Sequence, residues 1–393
     1  MLSVDGMKEI YFDNSATTAL SPAVKAAMCE AMERFGNPSS LHTKGTEAAL
    51  ALRTARREVG AALGETFLRD GQLIFTSCGT EATALALWGS AHAKARRTAN
   101  TILTTDSEHP SVEEALRRLE GEGFSVVRVP TKGGVLDMDT VREHCNKDLL
   151  MVSMMLVNNE TGARYPVEEV FRAARAGNPE CICHTDAVQG FLKVPFTAKG
   201  LGADLITLSA HKIHGPKGVG ALYIAPEMLT KKKIIPFLVG GGQEFGFRSG
   251  TENTVGIAGF AAAAKEGAAG FRTSAAGMLA VSEHLIRGFA ERGLTVNLPP
   301  VRAPHIVSLT LPDIKSETML HFLAQRGIAV SSGSACSSHA KHPSRTLLAF
   351  GLTPAQADCT LRVSLSGENT IEEADALLAA LDEGIATLVR IHR

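Results

Sequence analysis

The groups best placed to do chemistry are a lysine and an acid, each at the end of an apolar run, and a thiol in a stretch of small residues. In open α/β sheets, ligands gather outside the carboxyl ends of the strands, so the residues after each apolar run carry the most weight. After 205–208 comes Ser209-Ala210-His211-Lys212. A lysine in such a turn suits a Schiff-base amine, which must be partly desolvated to attack an aldehyde. The plain alternative is a surface-loop lysine. Lys217 is a rival amine, but Pro216 before it and Gly218 after it read as turn construction. After 181–184 comes Thr185-Asp186-Ala187-Val188-Gln189. An acid buried at a strand end is costly unless it meets a cation. A protonated pyridine nitrogen would be such a cation, and the pair would make the ring a better electron sink. Otherwise Asp186 is a helix or turn cap.

Three further segments complement these. Ser77-Cys78-Gly79-Thr80 follows the run 72–76 and opens a helical stretch. Small residues at a helix N-terminus can cradle a phosphate with backbone N–H groups and hydroxyls, although Ser/Thr caps are common everywhere. Glu108-His109-Pro110 follows 101–105, where an imidazole can stack on a ring and move protons or be merely structural. In Ser331-Ser332-Gly333-Ser334-Ala335-Cys336-Ser337-Ser338 little can pack, so mobility and exposure are expected, and a thiol there can ionise and act as a nucleophile. The alternative is a serine-rich loop with an incidental cysteine.

The elements that must position these groups alternate along the chain. Strands are expected at 72–76, 101–105, 125–129, 149–157, 181–184, 205–208 and 220–224, with helices at 47–62, 81–96, 111–120 and 167–176. That alternation indicates a mostly parallel sheet covered on both faces. Near Phe260 the texture changes: helices at 255–269 and 274–292, a strand at 306–311, a helix at 316–326, a strand at 361–365 and a last helix at 371–391 read as a smaller α+β domain. The expected division is a large domain at 15–260 and a small one made of 1–14 and 261–393.

The chain has 393 residues, 45% hydrophobic and 21% charged, with a formal net charge of −1. This fits a globular protein of about two domains and gives no basic excess for nucleic acid. Lys231-Lys232-Lys233 reads as a solvated loop. No apolar run reaches the roughly 20 residues of a membrane span, and residues 1–8 do not read as a signal peptide. Seven scattered cysteines suit a reducing cytoplasm. Cys181-Ile182-Cys183 reads as two buried structural thiols on one face of a strand rather than a metal site, so no metal is expected.

Taken in order, the motifs resemble those of the cysteine desulfurases, fold-type I pyridoxal-phosphate enzymes of the class V aminotransferase superfamily. They match the group with a long cysteine loop that serves iron–sulfur cluster assembly and nitrogen fixation. The resemblance covers nearly the whole chain. It is carried by Tyr11-Phe12-Asp13-Asn14-Ser15-Ala16-Thr17-Thr18, Gly36-Asn37-Pro38-Ser39-Ser40-Leu41-His42, Glu108-His109-Pro110, Asn158-Asn159-Glu160-Thr161-Gly162, Asp186-Ala187-Val188-Gln189, Ser209-Ala210-His211-Lys212, Arg248-Ser249-Gly250-Thr251-Glu252-Asn253, Gly333-Ser334-Ala335-Cys336 and Arg362-Val363-Ser364. It implies a large domain with a mostly parallel seven-stranded sheet and a smaller α+β domain carrying the cysteine loop.

The resemblance also implies roles. Lys212 would hold pyridoxal 5'-phosphate covalently, His109 would stack on its ring, and Asp186 would pair with the ring nitrogen. Gln189 and Asn159 would bond the ring oxygen and the substrate region. Gly79, Thr80, Ser209 and His211 would hold the phosphate. Thr251 would reach the phosphate of a neighbouring subunit, which implies a homodimer. Arg362 would clamp the substrate carboxylate, and Cys336 would take sulfur from L-cysteine as a persulfide and pass it to an acceptor protein, either a cluster scaffold or a tRNA-thiolation protein. The rival is a selenocysteine lyase or another class V lyase or aminotransferase, chemistries that need no thiol at Cys336. The chain departs from the usual pattern at Cys78, at 82–85, at Phe245 and Phe247, and at Ser366.

Overall fold

A computed structural model describes residues 9–93, 99–332 and 343–390. Its largest sheet has seven strands, with the order β2-β8-β7-β6-β5-β3-β4. These are β2 Leu73–Thr76, β3 Thr101–Thr105, β4 Ser125–Val129, β5 Leu149–Met155, β6 Ile182–Asp186, β7 Leu205–Ser209 and β8 Gly220–Ile224. Strands β7, β6, β5, β3 and β4 run parallel, and only β8 runs against its neighbours. Every residue of β2, β6, β7 and β8 is buried, as expected for near-continuous apolar strands covered on both faces. The expected mostly parallel sheet is therefore what forms.

Register decides where the chemistry collects. Met155 pairs with Asp186, and Asp186 with Thr207. Ser209 pairs with Gly220, and Gly220 with Thr76. The carboxyl ends of β2, β5, β6 and β7 thus lie along one sheet edge, and the segments that follow them emerge together.

A second unit is built on an antiparallel sheet, β12-β13-β10-β9, from β9 Thr295–Val296, β10 Ile306–Thr310, β12 Ser331–Ser332 and β13 Thr360–Ser364. A short parallel pair, β1 Ile10–Tyr11 with β11 Ile328–Ala329, lies beside it. Phe12, Leu309, Leu361, Leu377 and Leu381 belong to its core. Residues 10–14 are stitched to this unit, for the N–H of Asn14 donates to the Ser364 carbonyl and that of Ser364 to the Phe12 carbonyl.

Two sequence expectations need correction. The helices at 255–269 and 274–292 are one helix, Thr254–Glu291. The joining residues contain Gly270 but no proline, and one glycine costs only about 1 kcal/mol. Its first half packs Ile257 and Phe260 into the core of the seven-stranded sheet, and its second half packs Leu285 and Phe289 into the other. Nor is Lys233 solvated. It is buried, donating to the Glu180 carbonyl at 2.9 Å and pairing with the Glu180 carboxylate at 3.0 Å. Cys181 and Cys183 are both buried and free, as expected.

The loop that departs from the usual pattern at Phe245 is clamped from beneath. Arg56 and Glu244, 8% and 1% exposed, form a bidentate pair at 2.7 and 2.7 Å. Glu244 also accepts from the Phe75 N–H at 2.8 Å, and Arg56 donates to the Leu73 carbonyl. The rings of Phe75 and Phe245 lie against the guanidinium. Glu244 and Phe245 both hold left-handed backbone, with φ of 48° and 58°. An aromatic residue at 245 therefore gains a cation to cover. Glu244→Leu should cost about 3–5 kcal/mol, because it strands a buried guanidinium. Arg56→Met with Glu244→Leu should recover much of that loss, as read from urea unfolding midpoints.

Candidate active site

The segments at the carboxyl edge of the sheet enclose a cleft of about 270 Å³. Lys212, His109, Asp186, Gln189, Asn159, Gly79, Thr80, Ser209, His211 and Arg362 all line it. These side chains come from six separate stretches of chain, brought together by the strand register described above.

Lys212 follows β7 in a single helical turn, Ala210–Lys212. Its Nζ donates to the carbonyls of Ser15 and Ala16 at 2.7 and 2.8 Å. Asp186 ends β6 and is buried. Its Oδ1 accepts from the Val188 N–H at 2.9 Å, and no cation forms an ion pair with it among the described residues. Burial lifts its carboxyl to about 6, and the Val188 N–H and the Lys212 charge only partly offset this. Lys217, the rival amine, is exposed on the turn that follows.

His109 caps the helix Pro110–Gly121. Its Nδ1 accepts from the Ser111 N–H at 3.1 Å, which leaves the proton on Nε2. Burial, with a smaller push from Lys212, lowers this imidazole to about 4, so it is neutral at pH 7. His211, half-buried beside Thr17, is held at about 4 for the same first cause. Neutral rings in a cleft can stack and exchange protons without placing a charge against a cationic neighbour.

Cys78 sits at the N-cap of the helix Gly79–Ala91, yet its side chain makes no capping bond. The first N–H groups of that helix therefore remain available to an anion. A Cβ on Gly79 would stand 3.2 Å from Val188 Cγ2, so a side chain there would crowd the segment that follows β6. Glu81, one turn in, is neutralised by Arg248 at 2.8 Å.

Arg362 lies on β13 of the second sheet. Its guanidinium donates to Asp13 Oδ1 at 2.8 Å and to the Asn159 carbonyl at 2.9 Å, and its Nε has no partner. Asn159 Oδ1 is likewise buried without a partner.

One sequence candidate does not line the cleft, and another falls outside the described residues. Thr251 is exposed, just before the helix Thr254–Glu291, and does not line it. Cys336 lies outside the described residues. The strand before it, β12, pairs Ser331 with Arg362. On its other side, Ser344 Oγ donates to Glu160 at 2.6 Å, and Arg345 pairs with Glu113 at 3.0 Å.

Sequence reasoning assigned no role to Asp13 or to the Ser15 and Ala16 carbonyls. The signal was a polar run, 13–18, directly after a short strand. It also left Glu108 unassigned. Glu108 is buried behind the cleft, accepts from Thr105 and Met155, and is pushed to about 8 by burial. Among the described residues no cluster of His, Cys, Asp and Glu could hold a metal ion. No helix among them is long and apolar enough to cross a membrane.

Comparison with known proteins agrees with this geometry. The family model for class-V aminotransferases matches residues 10–377. The chain belongs to the class-V aminotransferase family. Within that family it is 36% identical over 387 residues to the cysteine desulfurase NifS of Azotobacter vinelandii, covering 97% of this chain and 94% of that one. A solved NifS-like protein superposes with a TM-score of 0.89 at 35% identity, covering 97% of this chain and all of the other. SspA, solved in complex with cysteine, superposes with a TM-score of 0.79 at 28% identity, over 92% of this chain and all of the other.

The buried carboxylate has a measurable cost. Asp186 has a folded-state value of about 6 against an unfolded value of 3.8. An acid raised on folding binds its proton more tightly in the folded state, so its penalty is absent below pH 3.8 and complete above about 6. In cofactor-free protein at pH 8, Asp186→Asn should be more stable by about 2–3 kcal/mol, and the gain should vanish below pH 4 in unfolding midpoints measured against pH.

Proposed function

We propose that this chain is a cysteine desulfurase that uses pyridoxal 5'-phosphate and transfers sulfur from L-cysteine to Cys336. The observation that carries the reading is the cleft itself, in which an amine, an uncompensated acid, a neutral imidazole and a guanidinium meet beside an uncapped helix start. The names of its relatives favour a desulfurase over a selenocysteine lyase or an aminotransferase.

The residues present fit the cofactor. Lys212 would hold it covalently, and Asp186 lacks the cation that a protonated ring nitrogen would supply. The N–H groups at Gly79 and Thr80, with Ser209 and His211, would receive the phosphate. His109 would cover the ring, while Gln189 and the unpartnered Asn159 Oδ1 would face its polar groups. When bound, the cofactor supplies an electron sink that acidifies the substrate Cα–H and weakens the bond from Cβ to sulfur.

The chain's own groups do the rest. Arg362 receives the substrate carboxylate through its planar guanidinium. Lys212 would take the Cα proton, and neutral His109 would exchange protons across the cleft. The Cys336 thiolate attacks the substrate sulfur. A sulfur–sulfur bond forms as the carbon–sulfur bond breaks, its electron pair stays with carbon, and protonation there releases alanine. The enzyme keeps the sulfur as a persulfide for an acceptor protein, a cluster scaffold or a tRNA-thiolation protein. Cys336 is four residues beyond Ser332, a span of at most about 14 Å, and β12 is anchored on the strand that carries Arg362.

Two further parts of the reading have separate support. Phe35, Leu41 and Val239 are exposed apolar side chains, and Leu238 bridges to Arg248 near Thr251. Such surface suits a homodimer in which Thr251 completes the partner's phosphate site. All the described cysteines are free, which fits a reducing cytoplasm. The separation into 15–260 and a second domain of 1–14 with 261–393 is supported by the two cores, with the helix Thr254–Glu291 shared between them.

Cys336→Ser should keep the visible absorbance of the cofactor but form no alanine from cysteine. Mass spectrometry of wild type after cysteine treatment should show Cys336 heavier by one sulfur atom. Undiminished alanine formation in the variant would sink this chemistry. Arg362→Lys should raise KM for cysteine about tenfold to a hundredfold, with a smaller effect on kcat, in steady-state alanine assays.

A further inference from the structure

One buried cation has no part in the scheme above. Lys193 is 6% exposed, and no carboxylate pairs with it among the described residues. Among the described residues its Nζ donates one hydrogen bond, to Gln189 Oε1 at 3.3 Å. Burial first, then the charges of Lys212 and Arg362, bring its ammonium down to about 7. His305, fully buried with neither ring nitrogen partnered, lies close enough to be held neutral by burial, Lys193 and Arg362. The residue before Lys193, Leu192, is left-handed at φ 57°, an uncommon state for a side chain branched at Cγ. An uncompensated cation reached through strained backbone, next to a reactive cleft, calls for a functional reason.

Gln189 supplies that reason. Its Nε2 donates to the Ser15 carbonyl at 2.9 Å, the same oxygen that accepts from Lys212 Nζ at 2.7 Å. A carboxamide has one acceptor end and one donor end. A carbonyl can only accept, so Nε2 must face Ser15. Lys193 donates and does not itself line the cleft, so Oε1 must face the ammonium. Both ends are therefore determined, and the second N–H of Nε2 remains for whatever occupies the cleft.

We propose that Lys193 is a positioning residue: it locks the Gln189 carboxamide so that an N–H donor, and never its carbonyl, faces the ring oxygen of pyridoxal phosphate. The inference rests on the pyridoxal-phosphate reading of the cleft. That ring oxygen carries negative charge, which an N–H stabilises and a carbonyl lone pair repels. Without Lys193 the Ser15 carbonyl alone would hold the amide, Oε1 would be buried without its donor, and the aim of the second N–H would no longer be fixed from both ends. The donor favours the deprotonated chromophore, in which the charge on the oxygen is most localised, so its loss raises the pH at which the visible band titrates.

The test uses purified protein reconstituted with pyridoxal phosphate, with cofactor content and the pH midpoint of the visible band as readouts. Lys193→Met should retain the cofactor and titrate about one pH unit higher, the effect of one lost charge-assisted hydrogen bond. In a Gln189→Ala background the same substitution should add less than about 0.3 unit. Lys193→Arg keeps a donor and should titrate as wild type does. An unshifted Lys193→Met, or an equal shift in both backgrounds, would show that Lys193 does not act through Gln189 and would overturn the proposal. Should Lys193→Met not fold, Lys193→Arg and Gln189→Ala decide: the first must keep the wild-type midpoint while the second raises it, and any other pattern counts against the proposal. A wild-type protein that takes up no pyridoxal phosphate would overturn the cofactor reading, and this inference with it.

Discussion

The Ser15 carbonyl is the hinge of the site. One main-chain oxygen accepts from both Lys212 Nζ and Gln189 Nε2, and the stretch around it does more. The Asp13 carboxylate holds Arg362, the Ser15 N–H donates to Ser364 Oγ, and Thr18 accepts from the His214 N–H. An irregular segment near the start of the chain thus fixes the amine and the guanidinium at once, and it bonds to both units. This segment thereby ties Lys212, which comes from one sheet, to Arg362, which comes from the other.

The cleft is also where the fold accepts electrostatic cost. Elsewhere, buried charge is matched at once: Arg56 with Glu244, Lys233 with Glu180. Here, among the described residues, Asp186 has no ion-pair partner, Lys193 no carboxylate, and His305 and Asn159 Oδ1 no hydrogen-bond partner. Burial drives the acids up and the imidazoles down, the pattern of a site shaped for a charged occupant rather than for its own stability.

The strand ends were legible because parallel strands buried on both faces read as apolar runs, and the loops after them inherit a known edge. Lys212, Asp186 and His109, which line one cleft, were singled out as candidates by that rule. The Ser15 and Ala16 carbonyls were not, since any residue type supplies a carbonyl and only the tertiary path aims it. Lys193 went unnoticed because its meeting with Gln189 depends on a left-handed Leu192, which side-chain identity does not announce. The single long helix was missed because Gly270 reads as a break, whereas helix geometry tolerates one glycine. Cys336 is the reverse case: the role proposed for it rests on the composition of its own segment and on the motif around it.

That helix has a consequence for the behaviour of the molecule as a material. A rod of 38 residues, roughly 57 Å long, lies with one half in each hydrophobic core. Neither core can melt without stripping apolar cover from the same continuous ladder of backbone hydrogen bonds. The two units are thereby mechanically in series, and a fluctuation that loosened one would be felt as strain in the other. A cleft assembled from both sheets keeps its dimensions because one beam runs through the foundations of each.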